Sequence, residues 1–276
     1  MHLYRFYQVA ALAWLSLTSS AQAWSDTGHQ TVALLAEPLL TDKARAELAV
    51  ILSDGEDLAQ VATWADDIRG QRPSTAAYHY VDIPLGWTAP MTDLGPFCGK
   101  SGGRCIVGQL ERAIEQLRTS VAPDERREAM MWIVHLVGDI HQPLHCSTDG
   151  DRGGNEKWVR VTYKSPGGAK IKLHALWDHL MRLSDSENSA SELANSLRLT
   201  PKQADTMGLG TPLSWSVESW ELARKLAYLH LPAGPIDDSD AITIAPEDVA
   251  YLRKVALTQL QRAGARLAAL LNAALR

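Results

Sequence analysis

Met130-Met131-Trp132-Ile133-Val134-His135-Leu136-Val137-Gly138-Asp139-Ile140-His141-Gln142-Pro143-Leu144-His145 is an apolar run broken at helical spacing by groups that bind protons and metals. Arg127 to Ile140 is strongly apolar, and it predicts a central helix. His135 and Asp139 stand four apart, which stacks both side chains on one helix face. Pro143 ends the helix and places His145 just beyond it. A carboxylate and an imidazole desolvated together need compensation. Either a plain buried His–Asp hydrogen bond or a divalent cation supplies it.

The same helical period extends outward in both directions. Thr31 to Leu40 repeats apolar residues at Val32, Leu35, Ala36 and Leu39, and Thr41 to Ile51 continues likewise. Leu58 to Ile68 and the face Ile106, Leu110, Ile114 and Leu117 predict two more helices. Thr200-Pro201 and Thr211-Pro212 each read as an N-cap followed by a first helical residue. Pro246 opens a long final helix toward Arg276. One β signal interrupts the series. Trp158 to Tyr163 and Ala169 to Leu173 flank Ser165-Pro166-Gly167-Gly168, the pattern of a short β-hairpin. Residues 84–104 and 231–236 read as surface loops. The expected fold is mainly α: a single multi-helix domain with one hairpin.

The amino-terminal segment stands apart. One basic residue (Arg5), an apolar run from Val9 to Leu17, and Ser19-Ser20-Ala21-Gln22-Ala23 form the pattern of a cleaved secretory signal over residues 1–23. That run falls short of the roughly 20 residues a membrane helix needs. The expected product is residues 24–276, beginning at Trp24, periplasmic or secreted. A formal charge of −5 argues against a basic nucleic-acid-binding footprint. It leaves phosphate substrates open if metal ions carry the positive charge. Cys98 and Cys105 flank a Gly-rich turn; in an exported chain a disulfide is the natural reading, with two free thiols as the alternative. Cys146 is left over, as a thiol ligand or an ordinary buried thiol.

Of the nine histidines only His2 lies in the leader. His174 and Asp178, in Leu173-His174-Ala175-Leu176-Trp177-Asp178, repeat the i,i+4 geometry of His135 and Asp139. Two such pairs with His145 favour the metal reading, and imidazole with carboxylate and no thiolate favours a hydrolytic zinc site over a structural one. Six segments occur in one order: Trp24-Ser25-Asp26-Thr27-Gly28-His29, Trp64-Ala65-Asp66, Tyr78-His79-Tyr80-Val81-Asp82, His135 to His145, Gly153-Gly154-Asn155, and His174 to Asp178. In this combination the chain resembles the zinc-dependent single-strand-specific nucleases, the plant and fungal type I enzymes and their bacterial relatives, which share a fold with zinc-dependent phospholipase C. The resemblance runs from Trp24 to Asp178; beyond it only helical character matches.

That resemblance implies three zinc ions. Asp66, His79, His135 and Asp139 would hold one; His145, His174 and Asp178 a second. The amino nitrogen and carbonyl oxygen of Trp24, with His29 and the bridging Asp139, would hold the third. Arg69 and Asn155 would contact the substrate phosphate, and Asp66 would orient or deprotonate the attacking water. His141, His179 and His230 are left as structural or solvent-facing. Zinc lowers a water's pKa to about 7, and paired metals clamp attacking and leaving oxygens. Three ions bring six positive charges against three aspartates, so an acidic chain can carry a locally positive site. Tyr78, Tyr80, Trp87 and Phe97 lie near the motifs as base platforms or as core; Tyr80 is the expected substrate contact. The implied activity is a monomeric endonuclease on single-stranded DNA and RNA that leaves 5′-phosphates and also acts as a 3′-nucleotidase. The rivals are a phospholipase C and a zinc-binding protein without turnover. Cys146, directly after His145, departs from the family pattern.

Overall fold

The computed structural model describes residues 24–89, 91–98, 104–162, 168–182 and 189–275. Eleven α-helices follow one another among these: α1 (Asp26–Ala36), α2 (Asp42–Ile51), α3 (Leu58–Val61), α4 (Trp64–Asp67), α5 (Ile106–Thr119), α6 (Pro123–Asp139), α7 (Leu173–His179), α8 (Ala190–Ser196), α9 (Pro201–Met207), α10 (Pro212–Leu222) and α11 (Pro246–Ala274). Strands β1 (Trp158–Val161), β2 (Ala169–Lys172) and β3 (Ile242–Ile244) make one small sheet. The mainly α architecture matches the expectation.

The predicted starts hold where capping chemistry speaks. Thr41 accepts from the Ala44 amide at the head of α2, and Thr200 and Thr211 each complete a capping box ahead of a proline at the first turn. Periodicity alone placed other ends less well. The central helix begins at Pro123, a turn before Arg127, because a proline is preorganised for the first helical position. The first helix runs over Asp26–Ala36, with a 3-10 turn at Glu37–Leu39 closing the predicted span.

Two expectations need correction. Leu58 to Ile68 is not one helix but α3, α4 and a 3-10 turn over Ile68–Gly70. At the break, the Ala62 carbonyl accepts from His135 Nδ1 (2.8 Å). An intrahelical ladder would have competed for that oxygen. The hairpin is also part of something larger. Strands β1 and β2 pair antiparallel, Trp158 opposite Lys172, but β3 adds in parallel on the other side of β1. Three residues of β3, distant in sequence, leave too short a pattern to read. Tyr163 and the turn at Ser165-Pro166-Gly167 lie outside the described residues.

Helix α6 is the axis. Every residue from Ala129 to Asp139 is buried, with α5, α1, α4 and α11 packed around it. Such a helix, apolar on all sides, belongs at the centre of a bundle. It carries two candidate ligands into the core. Cys98 and Cys105 form a disulfide that closes the loop before α5.

Candidate metal centre

Eight imidazole and carboxylate groups from six elements converge at α6. His29 comes from α1, Asp66 from α4, and His79 from a 3-10 turn over Pro73–His79. His135 and Asp139 come from α6, His145 from the turn Pro143–Cys146, and His174 and Asp178 from α7. Three sets place one donor atom per residue within 4.8 Å of one another: His29, Asp66 and His135; His79, His135 and Asp139; His145, His174 and Asp178. All eight side chains are buried.

Asp139 is the hub. Its Oδ2 lies 2.9 Å from His79 Nδ1 and 3.3 Å from His135 Nε2, and its Oδ1 lies 3.3 Å from His29 Nε2. The rings of His29 and His135 stack at 4.0 Å. His145 Nε2 and His174 Nε2 approach to 3.1 Å, with Asp178 Oδ2 3.8 Å from the latter. The far sides of the rings are fixed by main-chain acceptors. His135 Nδ1 donates to Ala62, His145 Nδ1 to the His79 carbonyl (2.7 Å), and His174 Nδ1 to the Gly153 carbonyl (2.6 Å). Each of these imidazoles is thereby held with Nε2 facing the cluster, the usual backing of a metal-binding histidine.

The charges of the protein alone are uneven. Burial by itself would lower His135, but the Asp139 and Asp66 carboxylates outweigh it and raise its pKa to about 9. Asp139 is held well below the carboxylate range, against burial, by His135 and His145. Burial pushes Asp178 well above that range and lowers His174 to about 3. Both nitrogens of His29, Nε2 of His79 and Oδ1 of Asp139 have no hydrogen-bond partner. Orphaned donors and acceptors at zero solvent access are costly. Cations held by nitrogen and oxygen donors satisfy them, so this donor set fits zinc.

Trp24, wholly buried, lies beside the cluster. Its indole donates to the Gly138 carbonyl (2.9 Å), one residue from Asp139, and the Ser25 amide donates to the Asp178 carbonyl (3.2 Å). A cavity of about 130 Å³ opens over His79, His145 and His174, walled by Arg69, Tyr80, Asp82, Leu144, Arg152, Gly153 and Asn155. Arg69 Nη1 is 3.1 Å from Asp66 Oδ1. The Asn155 amide donates to the Arg152 carbonyl (2.9 Å). The structure thus brings Arg69, Asn155 and Tyr80 to one opening above the donors. Of the other aromatics, Tyr78 packs edge-on against Trp132, and Trp87 against Phe97, with Tyr78, Trp87 and Phe97 partly buried against the core.

The profile of the S1/P1 Nuclease family matches residues 24–276. The chain belongs to the S1/P1 nuclease family. It is 29% identical to Endonuclease 4 of Arabidopsis thaliana, over 93% of this chain and 90% of that protein. It is 32% identical to Nuclease S1 of Aspergillus oryzae over 60% and 57%, and 29% identical to Nuclease P1 of Penicillium citrinum over 67% and 71%. Membership makes this a hydrolase of phosphodiester bonds in nucleic acids, and zinc is the family's usual metal.

Several contributors escaped the sequence reading. Gln142, fully buried, donates from Nε2 to Asp178 Oδ1 (2.8 Å) and so orients that carboxylate; it sits inside the quoted motif, but a neutral amide carries no sign of a ligand. Gly138 admits the His29 ring, and Asp82 and Arg152 join the cavity wall. His141 is structural: its Nδ1 donates to Val137 and its Nε2 accepts from Arg266 (2.7 Å). His179 and His230 are exposed. Cys146 is free and buried, with its thiol pKa raised by burial, which makes it an inert core thiol.

Proposed function

We propose that this chain is a zinc-dependent endonuclease that hydrolyses phosphodiester bonds of single-stranded DNA and RNA to 5′-phosphorylated products and also removes 3′-phosphates from nucleotides. The observation that carries the reading is the convergence of the buried donors beneath one polar opening. Asp66, His79, His135 and Asp139 would hold one zinc, and His145, His174 and Asp178 another. The Trp24 amino and carbonyl groups, His29 and Asp139 would hold a third. Zinc, when bound, supplies a water acidic enough to be deprotonated near neutral pH and positive charge for the phosphoryl oxygens.

The chain's own groups do the rest. Asp66, buried and ionised, takes the proton of the attacking water and aligns it. Arg69, paired with Asp66 through Nη1, stands in the cavity wall, where its guanidinium would meet a phosphoryl oxygen. Asn155, fixed through the Arg152 carbonyl, offers its amide to the same phosphate. Tyr80, 41% exposed at the rim, gives an unstacked base a face, a contact of about 1–3 kcal/mol. A recessed cavity favours a strand flexible enough to turn a phosphate inward. The rim carries the charged and amide groups of Arg69, Asp82, Arg152 and Asn155, which supports a nucleic-acid strand over a lipid. The protein would act as a monomer outside the cytoplasm, after removal of residues 1–23. Of the residues described, no helix is long and apolar enough to cross a membrane.

The test is metal analysis of protein beginning at Trp24, with assays on single-stranded DNA, the matching duplex and phosphatidylcholine vesicles. Single strands should be cut fastest, and Asp66→Asn should lower turnover at least about a hundredfold with the fold retained. Hydrolysis of phosphatidylcholine without cleavage of nucleic acid would replace the reading with a phospholipase C. Zinc without any turnover would leave a binding protein.

A further inference from the structure

Arg152 has a left-handed backbone, φ 56°, and is followed by Gly153 at 62° and Gly154 at 79°. Three consecutive residues in that region make a tight turn, whose Gly153 carbonyl fixes His174. Glycine adopts it freely; a residue with a Cβ does so under strain. Arginine is therefore the costly choice at the first position, and strain of this kind concentrates where a side chain serves function. Its main chain has a task any residue performs, since the Arg152 carbonyl accepts from Asn155 Nδ2 and from the Asn155 amide. That leaves the side chain to explain.

The side chain lines the cavity mouth and is 80% exposed. Glu156 stands 3.7 Å away, itself 43% exposed, an ion pair too wet to justify the strain. Asp82 shares that mouth, and the chain as a whole is acidic. Arg152 is the more exposed of the two arginines facing a polyanion at this opening, since Arg69 is 24% exposed. Arg69, tied to Asp66 over the metal donors, serves the phosphate being cleaved.

We propose that Arg152 binds the backbone phosphate one nucleotide away from the scissile bond, and so sets a preference for strands over mononucleotides. This rests on the nuclease reading above. A planar guanidinium suits phosphate oxygens, and an exposed one acts through ground-state binding. The contact exists only when the substrate has a neighbouring phosphate.

Arg152→Gly is the test, because it relieves the strain while removing the charge. Zinc-replete wild type, Arg152→Gly and Arg152→Lys are compared on oligothymidylate and on a 3′-mononucleotide, with binding of a cleavage-resistant phosphorothioate oligothymidylate measured against salt. In Arg152→Gly the thermal midpoint should be no lower than wild type. KM for the oligomer should rise about threefold to fivefold with kcat unchanged. The slope of log K on log salt should shrink by about 0.7, one phosphate contact on a single strand. Mononucleotide kinetics should not move, and Arg152→Lys should restore the salt slope. An unchanged slope and KM overturn the assignment while leaving the nuclease reading intact. Equal losses on oligomer and mononucleotide overturn it too, pointing to a role through Asn155. A wild type that cuts no nucleic acid overturns both.

Discussion

Gly138 decides how close α1 and α6 can come at the site. A Cβ there would lie 2.6 Å from His29 Nδ1 and 2.9 Å from its Cε1, and that ring is already stacked against His135. It has nowhere to go. Alanine in place of a helical glycine gains about 1 kcal/mol in propensity, whereas overpacking a core costs about 1–3 kcal/mol. The clash wins. Gly138→Ala should lower the denaturation midpoint and, by displacing His29, reduce zinc per chain; metal analysis and urea titration check both. A variant as stable and as zinc-rich as wild type would remove the steric argument. Gly138 was in view in the sequence between two candidate ligands, yet its role needed the position of α1. That approach is long-range.

At the scale of elements, α10 and α11 carry none of the recognisable motif residues, yet they clamp the turn that joins α6 to His145. Ser219 of α10 donates to the Ile140 carbonyl and Gln259 of α11 to the His141 carbonyl (3.1 Å). Arg266, bridged to Glu218 (2.7 Å), donates to His141. Burial, then Arg266, pushes the His141 pKa down to about 3. In the unfolded chain it is about 6.5. Between those values the unfolded chain holds a proton that the native protein refuses. Stability is therefore lost as pH falls from about 6.5 toward 3, at up to about 1.4 kcal/mol per unit. His141→Gln has no such proton. Measured on metal-free protein, its stability should fall less steeply with acid over that window, even if it starts lower. Parallel pH profiles for the two proteins would show that His141 titrates normally.

For the whole molecule, the donors tie α1, α4, α6 and α7 to one point. Ions that bind only the folded chain stabilise it by mass action, about 4 kcal/mol at a thousandfold excess over Kd. Chelation should abolish activity and lower the thermal midpoint together; activity and melting unaffected by a chelator would sink the zinc reading. The amino terminus makes this sharper. A free α-amine, pKa about 7.7–8.0, can give its lone pair to zinc, whereas a peptide nitrogen has lost it to resonance. Protein starting Met-Trp24 should hold less zinc and cut more slowly than protein starting at Trp24, with His29 and Asp139 retaining part of the affinity. Equal zinc content and equal rates, with both masses verified, would return Trp24 to the core, where its indole already sits on Gly138.

Local spacing was enough for much of this protein. The i,i+4 pairs His135/Asp139 and His174/Asp178, the capped starts at Thr200 and Thr211, and the apolar continuity of α6 are short-range facts, because a helix turns every 3.6 residues whatever surrounds it. What folding alone decided is everything that depends on distant segments meeting. The split of Leu58 to Ile68 answers to His135, more than sixty residues on. Strand β3 pairs with β1 across some eighty residues. Gln142 reaches Asp178, and Arg152 reaches the cavity mouth, through turns set by glycines and by packing. Periodicity carries which side of an element faces inward; which elements then share that inside is a property of the packed core.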